Sequence, residues 1–396
     1  MSYPIEASLD EFIPSRMRAI EADMVSLRRH IHAHPELSFQ EFETSELVAQ
    51  RLAEWGYGVH RGLGGTGVVG TLTNGSGKSL GLRADMDALP LSEATGLDYA
   101  SKHDGVMHAC GHDGHTAMLL AAARVLAESR NFSGTLNLIF QPAEEHGGGA
   151  RKMLEDGLLQ RFPCDAVFAI HNMPGVAAGR FGFFEGPFMA AADTVTIRIV
   201  GHGGHGAVPH KAVDPVVASA SLVMGLQTIV SRNVDPLETG IVSVGAIHGG
   251  SASNIIPDSV EIRLSVRSLS PAVRTRLQER ITALAHAHAH AYGARAEVDY
   301  EHGYPVLINH PDETRLAKSV AREWLGDEGL VHDMRPITAS EDFAYVLEQC
   351  PGCYLLVGNG EGKGGCMAHN PGYDFNDDIL SIGASYWVRL TERFLR

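Results

Sequence analysis

The chain has 396 residues, of which 44% are hydrophobic and 20% charged. That balance excludes a disordered polypeptide and suits either two domains of ordinary size or one large core with an insertion. A net charge of −15 repels phosphate backbones and excludes nucleic acid as a partner.

The opening segment up to Ser15 lacks the basic-then-apolar pattern of a secretory leader. No stretch approaches the ~20 apolar residues of a membrane helix. Five scattered cysteines do not make a disulfide framework, and a cytoplasmic location is expected. Along the chain, Met17, Ile20, Met24, Leu27 and Ile31 recur at helical spacing and predict a helix over 16–33. A second helix over 44–55 stops at Gly56. Strands are expected at 67–73 and 79–83, and Asn74-Gly75-Ser76-Gly77 between them is a hairpin signal. An Ala-rich helix over 116–128 precedes two short apolar runs, 135–140 and 166–170, that suit buried strands. Beyond Phe188 the character changes. Alternation marks strands at 194–200, 241–247 and 259–267, with helices over 215–230 and 271–292. This is a plausible α+β unit of roughly a hundred residues. A strand at 355–358 and a helix over 379–394 return to the first style. The expected fold is α/β. A discontinuous domain, 1–188 with 302–396, is built on a mixed β-sheet flanked by helices and carries an inserted α+β domain over 189–301.

Four segments concentrate metal-ligating residue types: 108–115 (HACGHDGH), 141–146 (QPAEEH), 170–172 (IHN) and 367–371 (MAHNP). Each lies at a predicted strand end or in a Gly/Pro-rich loop, where open α/β sheets bind their ligands. Imidazole and carboxylate suit Zn²⁺ or Mn²⁺, and a thiolate suits Zn²⁺. Bound metal lowers the pKa of its water toward ~7, and a free carboxylate then takes the proton. Adjacent glutamates can divide those two roles. Against this, any one of the 21 histidines is more often an ordinary packed or surface residue, and a Glu-Glu pair is usually a solvated face. The clustered Cys-x-His-x-x-His is the stronger signal, since nothing apolar explains its histidines. Gly77-Lys78-Ser79 lacks the glycine of a phosphate loop, Cys350-Pro351-Gly352-Cys353 reads as a structural turn, and the Ala/His alternation at 285–290 as an exposed helix end.

These segments, with RADMDALPLSEATGL, GHGGHGAVPH, SASNIIPDSVEIRLSVRSL and the early HAHPELSFQE, resemble the M20 peptidase and aminoacylase family over nearly the whole chain. The resemblance is strongest to the subfamily of hippurate hydrolases, bacterial aminoacylases and plant auxin-conjugate hydrolases. It implies that Cys110, His112, Glu145, His171 and His369 hold two divalent ions (Zn, Mn, Co or Ni), with the Cys110 sulfur bridging. It makes Glu144 the general base and Asp87 an orienting residue behind the ligands. His205 would polarise the scissile carbonyl, often from a partner subunit, and Asn254 and Arg267 would hold the substrate carboxylate. For Arg267 a strand-end salt bridge is an equal alternative. Other branches of the family have His-x-Asp where this chain reads Asp85-Met86-Asp87, so the first metal is not bound as it is there.

The implied activity is metal-dependent hydrolysis of N-acyl amino acids, hippurate-like, to a carboxylic acid and a free amino acid. The inserted domain would act as a lid and make a homodimer or higher homo-oligomer. The rival within the class is a dipeptidase or a hydrolase of one specialised conjugate. The rival outside it is a metal-binding protein without catalysis, against which the presence of Glu144 argues, since storage needs no base.

Overall fold

The computed structural model describes residues 12–361 and 366–396; most of the opening segment read above for a leader lies outside them. The chain divides into two compact units. One comprises Met1–Gly186, Asn309–Arg335 and Tyr345–Arg396, the other Pro187–Ile308 and Pro336–Ala344.

In chain order the first unit opens with helices α1 (Glu21–Ala33) and α2 (Phe42–Glu54) and strands β1 (Gly58–Leu63), β2 (Gly67–Asn74) and β3 (Ser79–Asp85). Helix α3 (His112–Ser129), β4 (Gly134–Gln141), β5 (Ala166–Pro174) and β6 (Phe181–Gly182) follow. The second unit holds β7 (Ala191–Val200), β8 (Gly204–His205), α4 (Pro215–Asn233), β9 (Gly240–His248), β10 (Ile255–Ile256), β11 (Ser259–Ser268), α5 (Pro271–Ala291) and β12 (Arg295–His302). The chain then returns through α6 (Pro311–Leu325), β13 (Gly352–Gly360) and α7 (Leu380–Phe394).

The first unit is built on a seven-stranded mixed sheet in the order β1-β2-β4-β3-β5-β13-β6. The hairpin expected across Asn74–Gly77 does not form. Strand β4 lies between β2 and β3, antiparallel to the first (Val69↔Ile139) and parallel to the second (Leu82↔Leu138). The reason is the β3–α3–β4 crossover: a helix joining parallel neighbours sets its second strand directly beside the first. β4 therefore takes the edge of β3 that a hairpin would have given to β2. Its residues from Leu136 to Gln141 are buried, and it has partners on both edges.

Helix α3 begins at His112, not at 116, and nearly all of it is buried between α1 and α7. The approach to α7 is close enough that a Cβ at Gly383 would fall 2.1 Å from the Met118 sulfur. Helix α1 buries Met24, Leu27 and Ile31 as its spacing predicts, but also Arg28 and His32. The segment 15–18 forms a separate short helical turn before it.

In the second unit a four-stranded antiparallel sheet runs β9-β11-β7-β12. Its strands alternate as expected of a sheet covered on one face. Val195, Ile197, Ile199, Ile262 and Leu264 pack with Leu222, Leu226, Leu277 and Ile281 of α4 and α5. Both helices start on a capped proline. Asp214 accepts the Val216 N–H before Pro215, and Ser270 accepts the Val273 N–H before Pro271. Among the described residues no helix is long and apolar enough to cross a membrane.

Candidate metal centre

Strand ends and one helix start build the site within the first unit. The loop after β3 carries Asp87, the start of α3 carries His112 just after Cys110, the loop after β4 carries Glu144 and Glu145, and His171 lies within the C-terminal half of β5. His369 comes from the loop between β13 and α7.

Among the groups of candidate donors whose ligand atoms lie within 4.8 Å of one another are Cys110 with His112 and His171, Cys110 with Glu145 and His369, and His112 with Glu144 and Glu145. The Cys110 Sγ is 3.3 Å from His171 Nε2, and Glu145 Oε1 is 3.3 Å from His369 Nε2. Both buried imidazoles are turned the same way. His112 Nδ1 donates to the Asp87 carbonyl (2.8 Å) and His171 Nδ1 to the Asn172 carbonyl (2.6 Å), which leaves each Nε2 lone pair facing the cluster. His112 Nε2 is fully buried and has no hydrogen-bond partner among the described residues. A buried nitrogen left so is costly unless something electrophilic takes the lone pair.

The electrostatics carry the same message. Burial opposes a charge on His112, yet Asp85, Asp87 and Glu145 push its pKa up to about 10. Burial and the carboxylates of Glu145, Glu144 and Asp85 drive the Cys110 thiol well above its ordinary value. The pocket is short of positive charge. A thiolate, two imidazole lone pairs and carboxylates together are a donor set for a divalent transition ion, so the residues fit one.

The backbone around the donors is held in unusual conformations. Of the four non-glycine residues with positive φ among the described ones, Ala143 (φ 53°) precedes Glu144, His369 (φ 62°) is itself a donor, and Phe39 (φ 64°) lies beside this loop. Asp87 fixes the glutamates. Its Oδ1 accepts the Glu144 N–H and its Oδ2 the Glu145 N–H, each at 3.0 Å, and Ser38 Oγ donates to Oδ2 at 2.7 Å. Burial would raise the Asp87 pKa, but these donors and His112 hold it below the usual carboxylate range.

Asn172 had no role assigned from sequence. Its side chain donates to the Cys110 carbonyl (2.6 Å) and accepts from the Tyr373 hydroxyl (2.6 Å), and its N–H donates to His115 Nε2 (3.0 Å). His115 Nδ1 in turn donates to Asp85 (2.6 Å), which pairs with Arg83 (2.7 Å). The aspartate that departs from the His-x-Asp pattern thus ends a hydrogen-bonded chain. Nothing in the local sequence of Asn172 or Tyr373 signals this, beyond their nearness to His171 and His369. Below the α3 start, His32 Nδ1 bonds Asp113 (2.8 Å) and Arg28 reaches Asp113, Asp374 and Asp377. Burial opposes a charge on His32, but Asp113 and Glu93 raise its pKa to about 9.

The remaining sequence-derived candidates lie in the second unit. His205 is exposed and pairs in register with Ile255, so it sits beside Asn254, whose carbonyl accepts the Gly206 N–H at 2.8 Å. Arg267 is not with them. It lies near the far end of β11, where its guanidinium donates to Ser340 Oγ at 3.0 Å. Among the described residues no carboxylate pairs with it.

The profile of peptidase family M20/M25/M40 matches residues 81–393. The chain is 45% identical to a hippurate hydrolase of Campylobacter jejuni over 95% of its own length and 98% of the relative's. It is 41% identical to an N-acetyl-L-cysteine deacetylase of Bacillus subtilis over 98% and 93% of the two chains. Among solved structures, a dinuclear metal-binding M20 peptidase of Bacillus subtilis superposes with a TM-score of 0.84 at 34% identity, covering 96% of this chain and 99% of that one.

Proposed function

The chain belongs to peptidase family M20/M25/M40, and from that premise we propose that it is a metal-dependent amidohydrolase splitting N-acyl amino acids into a carboxylic acid and a free amino acid. The observation that carries the reading is the donor cluster around buried Cys110 and His112, with His112 Nε2 lacking a hydrogen-bond partner among the described residues and Glu144 alongside it. Cys110 belongs to two of the donor groups, and with His112, His171, Glu145 and His369 it would hold two divalent ions. When bound, such ions lower the pKa of a coordinated water and polarise the scissile carbonyl. Glu144 takes the proton of the attacking water and passes it to the leaving nitrogen. His205 donates a hydrogen bond to the developing oxyanion. Asn254 and Arg267 hold the substrate carboxylate, for which an arginine fork is suited.

From Ser259 to Arg267 the strand alone spans roughly 25 Å at about 3.3 Å per residue, and His205 lies beyond its other end. One small substrate cannot touch both ends of that unit. The separation supports a homodimer in which a substrate meets His205 and Asn254 from one subunit and Arg267 from the other. The inserted unit is then both lid and dimerisation domain. Five free cysteines fit a reducing, cytoplasmic setting.

The test is release of glycine from hippurate by the purified protein, as isolated, after chelation, and after adding back Zn²⁺, Mn²⁺, Co²⁺ or Ni²⁺. Turnover removed by chelation and restored by one ion supports the reading and names the metal. Turnover with dipeptides in place of acyl amino acids moves the substrate class. Silence across acyl amino acids and dipeptides with metal stoichiometrically bound overturns it.

A further inference from the structure

Glu41 is completely buried, and among the described residues no cationic side chain pairs with it. A carboxyl group in that position is costly unless its oxygens are satisfied. Three donors converge on it. Oε1 accepts the Phe39 N–H (3.0 Å) and the Ala143 N–H (2.8 Å), and Oε2 accepts the Thr66 hydroxyl (2.5 Å). Two of these donors belong to, or stand beside, strained backbone: Phe39 and Ala143 both have positive φ.

An ordinary helix-capping role does not explain the residue. Glu41 occupies the position just before α2, but its side chain makes no cap bond to that helix. Glu36 does that work, accepting the Glu43 N–H at 3.0 Å and the Thr44 N–H at 2.8 Å. Glu41 instead reaches across to the loop after β4. There the N–H groups of three consecutive residues are taken by two buried carboxyl groups: Ala143 by Glu41, and Glu144 and Glu145 by Asp87. Successive N–H groups bound in this way form a nest whose curvature fixes the side chains that follow. Ser38 and Phe39, which bond Asp87 and Glu41 respectively, tie both clamps to the same segment.

We propose that Glu41 is a positioning residue for catalysis: through the Ala143 N–H it holds the left-handed turn that aims Glu144. The inference rests on Glu144 acting as the base. Burial and the nearby Asp87 push the Glu41 pKa up to about 7, so the protonated acid is readily populated. In that form Oε1 still accepts both N–H groups while Oε2 donates to Thr66. A glutamine reproduces this pattern, with its carbonyl oxygen toward the two N–H groups and its amide toward the hydroxyl. An alanine reproduces none of it.

The experiment compares Glu41→Gln, Glu41→Ala and Glu144→Ala, each metal-loaded, by kcat, KM, metal stoichiometry and thermal melting. Leu52→Ala, a buried truncation in α2 away from the loop, calibrates plain destabilisation. Expected are a kcat about a hundredfold lower in Glu41→Ala, as misplacement of a reacting group by ~1 Å costs, with KM and metal content unchanged, and recovery to within a few-fold in Glu41→Gln. Glu41→Met, which fills the volume without an acceptor, replaces the alanine variant if that does not fold. Wild-type kcat in Glu41→Ala with Glu144→Ala inactive overturns the positioning role alone. So does a loss that merely follows lost metal or the unfolded fraction, as in Leu52→Ala. Full turnover in Glu144→Ala overturns the base assignment, and the positioning role with it.

Discussion

Asp87 grips Glu144 by its backbone, not by its side chain: the carboxylate accepts the Glu144 N–H at 3.0 Å while the Asp87 carbonyl accepts from His112 at 2.8 Å. One residue therefore sets both the orientation of an imidazole and the course of the glutamate loop. In Asp87→Ala the Glu144 and Glu145 N–H groups lose their acceptor inside the protein. Metal affinity should fall about 10–100-fold, the usual effect of removing an orienting partner. Competition with a chelator measures it, and unchanged affinity would remove Asp87 from the centre.

Glycine is required at position 111. Its φ is 96°, and a Cβ there would lie 2.3 Å from Asn172 Nδ2 and 2.5 Å from the Tyr373 hydroxyl. Left-handed backbone alone costs an ordinary residue on the order of 1–3 kcal/mol. Gly111→Ala should unfold at distinctly lower denaturant concentration and bind less metal, because the Asn172 contacts to the Cys110 carbonyl and to Tyr373 cannot both survive. A denaturation midpoint equal to wild type would contradict the packing described.

Partner exchange tests the placement of His205. Glu144→Ala should keep its metal and lose about 10²–10⁴-fold in turnover, the span of general acid–base catalysis. His205→Ala should lose about 10²–10³-fold, as does loss of one oxyanion donor. In the proposed dimer each variant alone would be nearly inactive, but a mixed dimer would contain one site with Glu144 from one chain and His205 from the other. Co-expression of the two variants should restore activity. If the mixture stays as inactive as its parents, His205 acts within its own chain.

His32 should leave a signature on the alkaline side. Burial works against its charge, but Asp113 and Glu93 lift its folded pKa to about 9, against 6.5 for the free side chain. A raised pKa contributes stability that is complete below the unfolded value and is lost as pH rises through the folded one. The melting temperature of wild type minus that of His32→Gln should therefore be largest below pH ~6.5 and shrink steadily toward pH ~9 and above. Thermal scans of both proteins from pH 6 to 10 would show it. A difference that does not change with pH would mean that the buried imidazole is neutral throughout.

How much of this is legible in the sequence depends on the kind of interaction. The apolar runs TLNLIF and AVFAI declare β4 and β5, because strands buried on both faces are continuous hydrophobic stretches. Their partners are not declared. Asn74-Gly75-Ser76-Gly77 signals a reversal, but only the crossover through α3 decides that β4 comes between β2 and β3. The donor residues stand out because they crowd into glycine-rich motifs, and the structure draws Cys110, His112, Glu144, Glu145, His171 and His369 together in one unit. Of the residues behind them, Asp87 is indicated by the family resemblance, and the others carry no role of their own in the sequence. Arg28 and His32 lie on the same helix face as Met24 and Ile31, and Glu41 lies just before a helix, but nothing in their local sequence says that they are buried. A buried charge is recognisable only once its partners, from 66 to 377, are in place. Helix α6 is absent from the elements expected above, although Ala317, Val320 and Ala321 are buried along it. With Leu325 they make a regular apolar stripe among charged neighbours, so this helix was there to be read.

The register of β13 against β5 pairs Leu355 with Ile170, and the whole second unit emerges between them during synthesis. Until the chain has passed residue 352, β5 presents an unpaired, hydrophobic edge of the kind that recruits other strands. His369 arrives later still. The donor cluster is therefore incomplete until residue 369 has been made. Contacts of such long sequence separation also fold slowly. Metal supply during expression should therefore matter little to early folding, while chaperones that cover the β5 edge should govern the yield of soluble protein.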